Sequence, residues 1–251
     1  MDFHVFGEKN SPTIILIHGM LTPWQIWSEY AEKLSEKYYV VCVELDAHSE
    51  KTATEFLSIE DEAKTIAHYI QEELCGKVYA VCGLSLGGAI AFELWKSNSV
   101  SIEKLIMDGA PIIPSGSFAT FFMTRSYLNI IHKSKRRDPK TLQSFKKNFL
   151  PEKYLVSYLD IADNMSDQSV RNILRSINCD RIVSLPESDT DILFIHGTKG
   201  NEVLSKKAAK KLKQMYKYTQ TYCCDGCAHC YYAIYEPQKW LEIVNGFLQK
   251  Q

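Results

Sequence analysis

Six short strand-like runs separated by helix-like segments constrain this chain more than any other feature. Residues 13–17, 39–45, 78–82, 104–107 and 191–195 are rich in Val, Ile and Leu and mostly apolar throughout, and residues 218–223 are a strand-like Tyr and Thr stretch. Continuous apolarity of that kind predicts strands covered on both faces. Between the second and third runs, Ser58-Ile59-Glu60-Asp61 can cap a helix. Ile59, Ala63, Ile66, Ala67, Ile70 and Leu74 then recur at helical spacing. A second helix is predicted from near Asn201 to about Tyr216, with five lysines on its outer faces. A third begins around Pro237, suited to a first helical turn, and buries Trp240, Leu241, Val244, Phe247 and Leu248. Alternation of this kind predicts an α/β protein with a doubly wound, mostly parallel sheet. Residues 113–188 break the rhythm. They carry helix starts at Asp138-Pro139, Leu150-Pro151 and Ser166-Asp167 and no convincing strand. The chain therefore divides into a core of residues 1–112 and 189–251 and a helical insertion of residues 113–188.

The chemistry-bearing motif lies after the third run. Gly83-Leu84-Ser85-Leu86-Gly87 stands between an apolar stretch and the small-residue helix start Gly88-Ala89-Ile90-Ala91. This is the pattern G-x-S-x-G on a strand-to-helix turn. Such a turn strains the serine backbone, so the residues two before and two after it must lack bulk. The helix that follows aims its N-terminal amides at the reaction centre, where they stabilise negative charge.

Two further segments fit the same chemistry. The first run ends in His18-Gly19-Met20, and Cys227-Ala228-His229-Cys230 follows the last run and precedes a helix. With Leu45-Asp46-Ala47-His48 after the second run, these motifs stand in the order found in the α/β-hydrolase superfamily. The chain resembles that superfamily over nearly its whole length, in its capped serine-hydrolase branch of carboxylesterases and monoacylglycerol lipases. The resemblance implies an α/β-hydrolase fold with a helical cap at the insertion. It implies Ser85 as nucleophile and His229 as general base, with the backbone amides of Met20 and Leu86 as the oxyanion hole. His18 reads as a structural member of the oxyanion loop and His196 as buried support, while His4, His48, His68 and His132 have no matching context. A serine nucleophile excludes the haloalkane dehalogenase and epoxide hydrolase branches, which need a carboxylate there.

The acid of the triad has two candidates. The family places it a few residues after a glycine that follows the penultimate strand. That stretch reads His196-Gly197-Thr198-Lys199-Gly200-Asn201-Glu202, with Gly200 at the expected position. Glu202 is preferred, against a plain role as a first-turn carboxylate at a helix N-terminus. Asp108, at the end of the fourth run, is the alternative, against a plain role as a turn residue in Asp108-Gly109-Ala110-Pro111.

Charge and cysteine usage bound the rest. The chain has 251 residues and a net charge of −1, which gives no general attraction to nucleic acid or anionic membranes. The first ten residues lack the apolar core of a signal peptide, and no stretch is long enough to span a bilayer. A cytoplasmic protein without membrane insertion is expected, of undetermined oligomeric state. Cys42, Cys75, Cys82 and Cys179 read as small buried apolar groups. Cys223, Cys224, Cys227 and Cys230 cluster around His229 with spacing like part of a zinc or iron–sulfur set. No second ligand pair accompanies them, and a metal would compete for His229. No metal or cofactor is expected.

Within the insertion, Phe118, Phe121, Phe122, Met123 and Tyr127 are expected to pack the cap onto the core for at least half their number. The remainder would form an apolar acyl or alkyl pocket over Ser85. The basic run from Lys133 to Arg137 reads as solvated surface. The expected activity is cleavage of a small or medium acyl ester through a Ser85 acyl-enzyme. Thioester or carbon–carbon hydrolysis is an alternative, as is slow or non-catalytic ligand binding on a hydrolase scaffold.

Overall fold

The computed structural model describes residues 1–200 and 202–250. Seven strands form one sheet: β1 (Asp2–Phe6), β2 (Thr13–Ile17), β3 (Tyr39–Glu44), β4 (Lys77–Leu84), β5 (Ser101–Asp108), β6 (Asp191–Gly197) and β7 (Thr219–Cys224). Their spatial order is β1-β3-β2-β4-β5-β6-β7. Every pairing is parallel except β1 with β3. The chain grows outward from β2 in one direction through β3 and in the other through β4. That reversal opens a crevice at the carboxyl ends of β2 and β4, where α/β sheets place their ligands.

The six predicted strands are present, and the sequence reading missed β1. Its residues are half-buried or exposed and none is fully buried. Phe3 stacks on Tyr69 while His4 and Phe6 lean on Trp24, so this antiparallel edge strand has only partial cover and carries no continuous apolar run. At the opposite edge, β7 departs from the expectation of burial on both faces. Gln220, Thr221, Tyr222 and Cys223 are all exposed, since an edge strand here has helix cover along only part of its length. The central strands β2 and β3 are buried at every residue.

Helices α1 (Ser28–Leu34), α2 (Ile59–Glu73) and α3 (Leu86–Lys96) follow β2, β3 and β4. Ser58 caps α2 as its sequence predicts, its hydroxyl accepting from the Asp61 amide at 3.0 Å. The insertion after β5 folds as α4 (Ser117–Lys135), α5 (Pro139–Asn148), α6 (Leu155–Asn164) and α7 (Asp167–Ser176). Asp138 and Ser166 cap α5 and α7 through the amides of Thr141 and Ser169, both at 2.9 Å. Leu150-Pro151 opens a short 3-10 turn before α6. After the insertion come α8 (Glu202–Met215), α9 (Tyr231–Tyr235) and α10 (Pro237–Leu248). The predicted start near Asn201 lies outside the described residues.

Arg181 ties the insertion's return to the core. Its buried guanidinium pairs with Glu60 of α2 and Glu93 of α3, each at 2.7 Å, and donates to the Ser176 carbonyl. On the other side of the sheet, Trp27, Tyr30 and Trp240 form a buried aromatic cluster. Cys42 and Cys82 are buried in strands as expected, whereas Cys75 and Cys179 are exposed, lying just past the ends of α2 and α7.

Candidate active site

Ser85 stands between the end of β4 and the start of α3 with φ at +53°. A side-chain-bearing residue in this region costs about 1–3 kcal/mol, and such strain persists only where the surroundings fix it. Here the Ser85 amide donates to the Asp108 carbonyl at 2.8 Å, and the Ser85 carbonyl accepts from the amides of Gly88 and Ala89. The flanking glycines follow from close approach. A Cβ on Gly83 would meet the Gly87 carbonyl oxygen at 2.2 Å, and one on Gly87 would meet that of Ile17 at 2.3 Å. The turn therefore packs against both itself and the end of β2.

His229 lies in the loop between β7 and α9 and reaches Ser85 across the sheet's carboxyl edge. Its Nε2 is 2.9 Å from Ser85 Oγ, and its Nδ1 is 2.5 Å from Glu202 Oε1. Gly109 gives it room, since a Cβ there would sit 2.6 Å from His229 Cε1. Glu202 is the first residue of α8 and is fully buried. Its Oε2 accepts from the Gly197 amide at 2.7 Å, and Oε1 also accepts from the Ser205 hydroxyl at 3.1 Å. Burial raises the carboxyl's pKa. The hydrogen bond and charge of His229, with the Gly197 and Ser205 donors, outweigh it and hold the pKa below the ordinary carboxylate value. Glu202 is thus a carboxylate at a helix start whose remaining hydrogen-bond partner is His229.

Asp108 is directed elsewhere. Its Oδ2 accepts from Trp240 Nε1 at 3.2 Å, and its carbonyl takes both the Ser85 amide and the Cys230 thiol. Burial pushes its carboxyl up to about 7, against the lowering influence of His229 nearby. Ser85, His229 and Glu202 are therefore linked by hydrogen bonds, while the Asp108 carboxyl is bonded to α10.

The loop after β2 brings Gly19 beside Ser85, within 3.4 Å of the serine Cβ for a Cβ built on the glycine. Among the described residues neither the Met20 nor the Leu86 amide has a protein acceptor, and both residues line the cavity over Ser85. Two buried histidines hold this loop. His18 donates from Nδ1 to the Gly19 carbonyl and accepts the Leu45 amide at Nε2. His48 donates to the Asp46 carbonyl and accepts the Leu21 amide at 3.0 Å. Burial, with mutual repulsion at His18, lowers their pKa values to about 3 for His18 and about 4 for His48, so both are neutral acceptors. His18 is structural, as expected. The role of His48 was missed, because nothing in sequence signals a contact with a backbone amide 27 residues away. His196 is buried, its Nδ1 donating to the Gly197 carbonyl at 2.8 Å.

A cavity of about 180 Å³ rises from Ser85 and His229. Met20, Leu86 and Ile234 line it from the core, and Met123, Tyr127, Phe149 and Ile173 from the insertion. No Lys, Arg, Asp or Glu is among its lining residues. The aromatic expectation for α4 needs correction. Met123 and Tyr127 line the cavity, but Phe118, Phe121 and Phe122 are exposed rather than packed on the core, because they occupy the opposite face of the helix. The basic run is used locally: Lys135 donates to the Met165 carbonyl, and Arg137 forms a two-pronged pair with Asp163.

All eight cysteines are free. Among the described residues no three His, Cys, Asp or Glu side chains are placed to hold a metal ion. The Cys230 thiol is instead bonded to the Asp108 carbonyl.

A parallel sheet with one antiparallel edge, a strained serine after its fourth strand and a histidine after its last define a hydrolase of the α/β class. The chain belongs to the alpha/beta hydrolase family, whose sequence pattern matches residues 14–241. Over 104 residues it is 27% identical to a pimeloyl-(acyl-carrier protein) methyl ester esterase of Nitrosomonas europaea, covering 41% of this chain and 39% of that one. The match spans about two fifths of the length of the curated relatives. Among solved structures, an alpha/beta hydrolase family protein from Desulfitobacterium hafniense superposes with a TM-score of 0.78 at 21% identity, covering 99% of this chain and all of that one. An esterase from Exiguobacterium antarcticum gives 0.75 at 18% identity, covering 99% and 95%. These likenesses extend to the fold of the whole chain.

Proposed function

We propose that the chain is a serine hydrolase that cleaves esters of a short or medium apolar acyl group. The observation that carries this reading is His229, hydrogen-bonded at one nitrogen to Ser85 and at the other to buried Glu202. In the reaction His229 Nε2 takes the Ser85 proton as Oγ attacks the ester carbonyl carbon. Glu202 fixes the tautomer that leaves Nε2 free to accept, and stabilises the imidazolium that forms. The amides of Met20 and Leu86, lacking protein acceptors, stabilise the oxyanion. His229 then returns the proton to the departing alcohol, leaving Ser85 acylated. A water activated by the same nitrogen releases the acid.

The cavity supports an apolar substrate, since its lining holds no charged side chain and its volume suits a short chain. The partial match to a methyl ester esterase supports ester chemistry. Residues 113–188 act as a cap over a core of residues 1–112 and 189–251. The enzyme's partner is a small-molecule ester, and its eight free thiols fit a reducing, cytoplasmic setting. Weighing against a binding-only role is Glu202, which supplies the carboxylate that Gly200 lacks.

The test is hydrolysis of a short-chain p-nitrophenyl ester with fluorophosphonate labelling of the wild type. Ser85→Ala should lose at least three orders of magnitude in turnover and all labelling, with its melting temperature retained. Substantial activity in Ser85→Ala, or no turnover and no labelling in wild type, overturns the proposal.

A further inference from the structure

Helix α4 presents two opposite faces. Met123, Tyr127, Ile131 and Ser134, at helical spacing, turn inward to the cavity or into buried positions. Phe118, Phe121 and Phe122, also one helical face, turn to solvent at 79%, 63% and 51% exposure. The three rings contact one another edge-on, with centroids 4.7 and 5.5 Å apart. Three contiguous exposed phenylalanines are costly in water and mark an interaction surface.

Charge identifies what covers them. Residues 113–188 carry twelve Lys and Arg against seven Asp and Glu, whereas the rest of the chain carries seventeen against twenty-three. The net charge of −1 thus conceals a basic insertion on an acidic core. Beside the aromatic face, α4 and α7 enclose an open groove of about 1000 Å³ lined by Phe121, Phe122, Arg125, Arg171 and Arg175. His132 in the same groove pairs with Asp167, but the three arginines have no ion-pair partner among the described residues. Unpaired arginines beside exposed phenylalanines match a surface that is anionic outside and apolar beneath. Exposed Phe rings flanked by Arg side chains are the pairing that suits a bilayer boundary with anionic headgroups. No helix of the described residues is long and apolar enough to cross a membrane.

We propose that the outer face of α4, with Arg125, Arg171 and Arg175, docks the protein peripherally on an anionic lipid bilayer. Rings of Phe118, Phe121 and Phe122 enter the headgroup boundary while the arginines meet anionic headgroups. The docking requires no turnover and stands apart from the hydrolase reading.

The experiment is flotation of the full chain with vesicles of phosphatidylcholine alone and with about 30% phosphatidylserine, at low and high salt. Expected is binding to the anionic vesicles at least tenfold tighter than to phosphatidylcholine, weakened by salt. The Arg171→Gln/Arg175→Gln variant should lose about thirtyfold on anionic vesicles. Phe118→Ser/Phe121→Ser should lose binding at least tenfold, and both variants should keep wild-type melting temperature and p-nitrophenyl ester turnover. Equal binding to both vesicle types, or no flotation in wild type, overturns the proposal. So does wild-type binding in the Phe variant, or concentration-dependent dimerisation abolished by it without vesicle binding. Capture by an acidic peptide with no vesicle binding would assign the face to a protein and overturn the lipid reading.

Discussion

Glu202 meets His229 from the first turn of α8, at 2.5 Å, while anchored to the Gly197 amide by its other oxygen. The glutamate side chain spans from the first residue of α8 to the imidazole. The expected outcome is a loss of two to four orders of magnitude in turnover for Glu202→Gln with modest change in melting temperature. Asp108→Asn keeps a carbonyl oxygen for Trp240 and should retain a near-normal rate. Steady-state kinetics and thermal melts of both variants test the assignment. A severe rate loss confined to Asp108→Asn would reverse it.

His48 links the loop after β2 to the loop after β3 only as a neutral acceptor for the Leu21 amide. In the unfolded chain its imidazole binds a proton below about pH 6.5, whereas in the fold it stays neutral down to about 4. Between those values the unfolded state holds more protons, so this residue's contribution to stability falls as pH falls. His48→Gln should cost about 1–3 kcal/mol at pH 7.5. That cost should shrink by about 2 kcal/mol at pH 5, where the wild type bears the burden of the neutral histidine. Urea denaturation of both proteins at the two pH values measures it. A constant difference would show that His48 is not held neutral.

Arg181 carries a buried charge matched by Glu60 and Glu93. Arg181→Met leaves Glu60 half-exposed without its partner and Glu93 with only the longer Lys96 contact at 3.9 Å, and should cost about 1–3 kcal/mol. Because it ties the insertion to α2 and α3, turnover below the melting transition should change little. Chemical denaturation checks the first statement and ester kinetics the second.

The cysteines near His229 give a fourth expectation. Cys230 is committed to the Asp108 carbonyl and His229 to Ser85 and Glu202. Purified protein should contain no stoichiometric zinc or iron, and chelators should leave ester turnover intact. Elemental analysis finding about one metal per chain, lost together with activity, would contradict this.

The linear sequence determined the parts whose cause is local. Continuous apolar runs produced β2 through β6, capping residues placed α2, α5 and α7, and the glycines at 83 and 87 announced the turn that strains Ser85. Each signal lies within a few residues of its consequence. Tertiary structure decided whatever depends on the far side of the sheet. It brought Glu202 and not the Asp108 carboxyl onto His229, and it joined His48 to the Leu21 amide. It also sent three phenylalanines of α4 to solvent while two neighbours on the same helix lined the cavity. Apolar composition cannot distinguish the two faces of a helix that is apolar on both. Only the helices α5, α6 and α7 packed against its other face do.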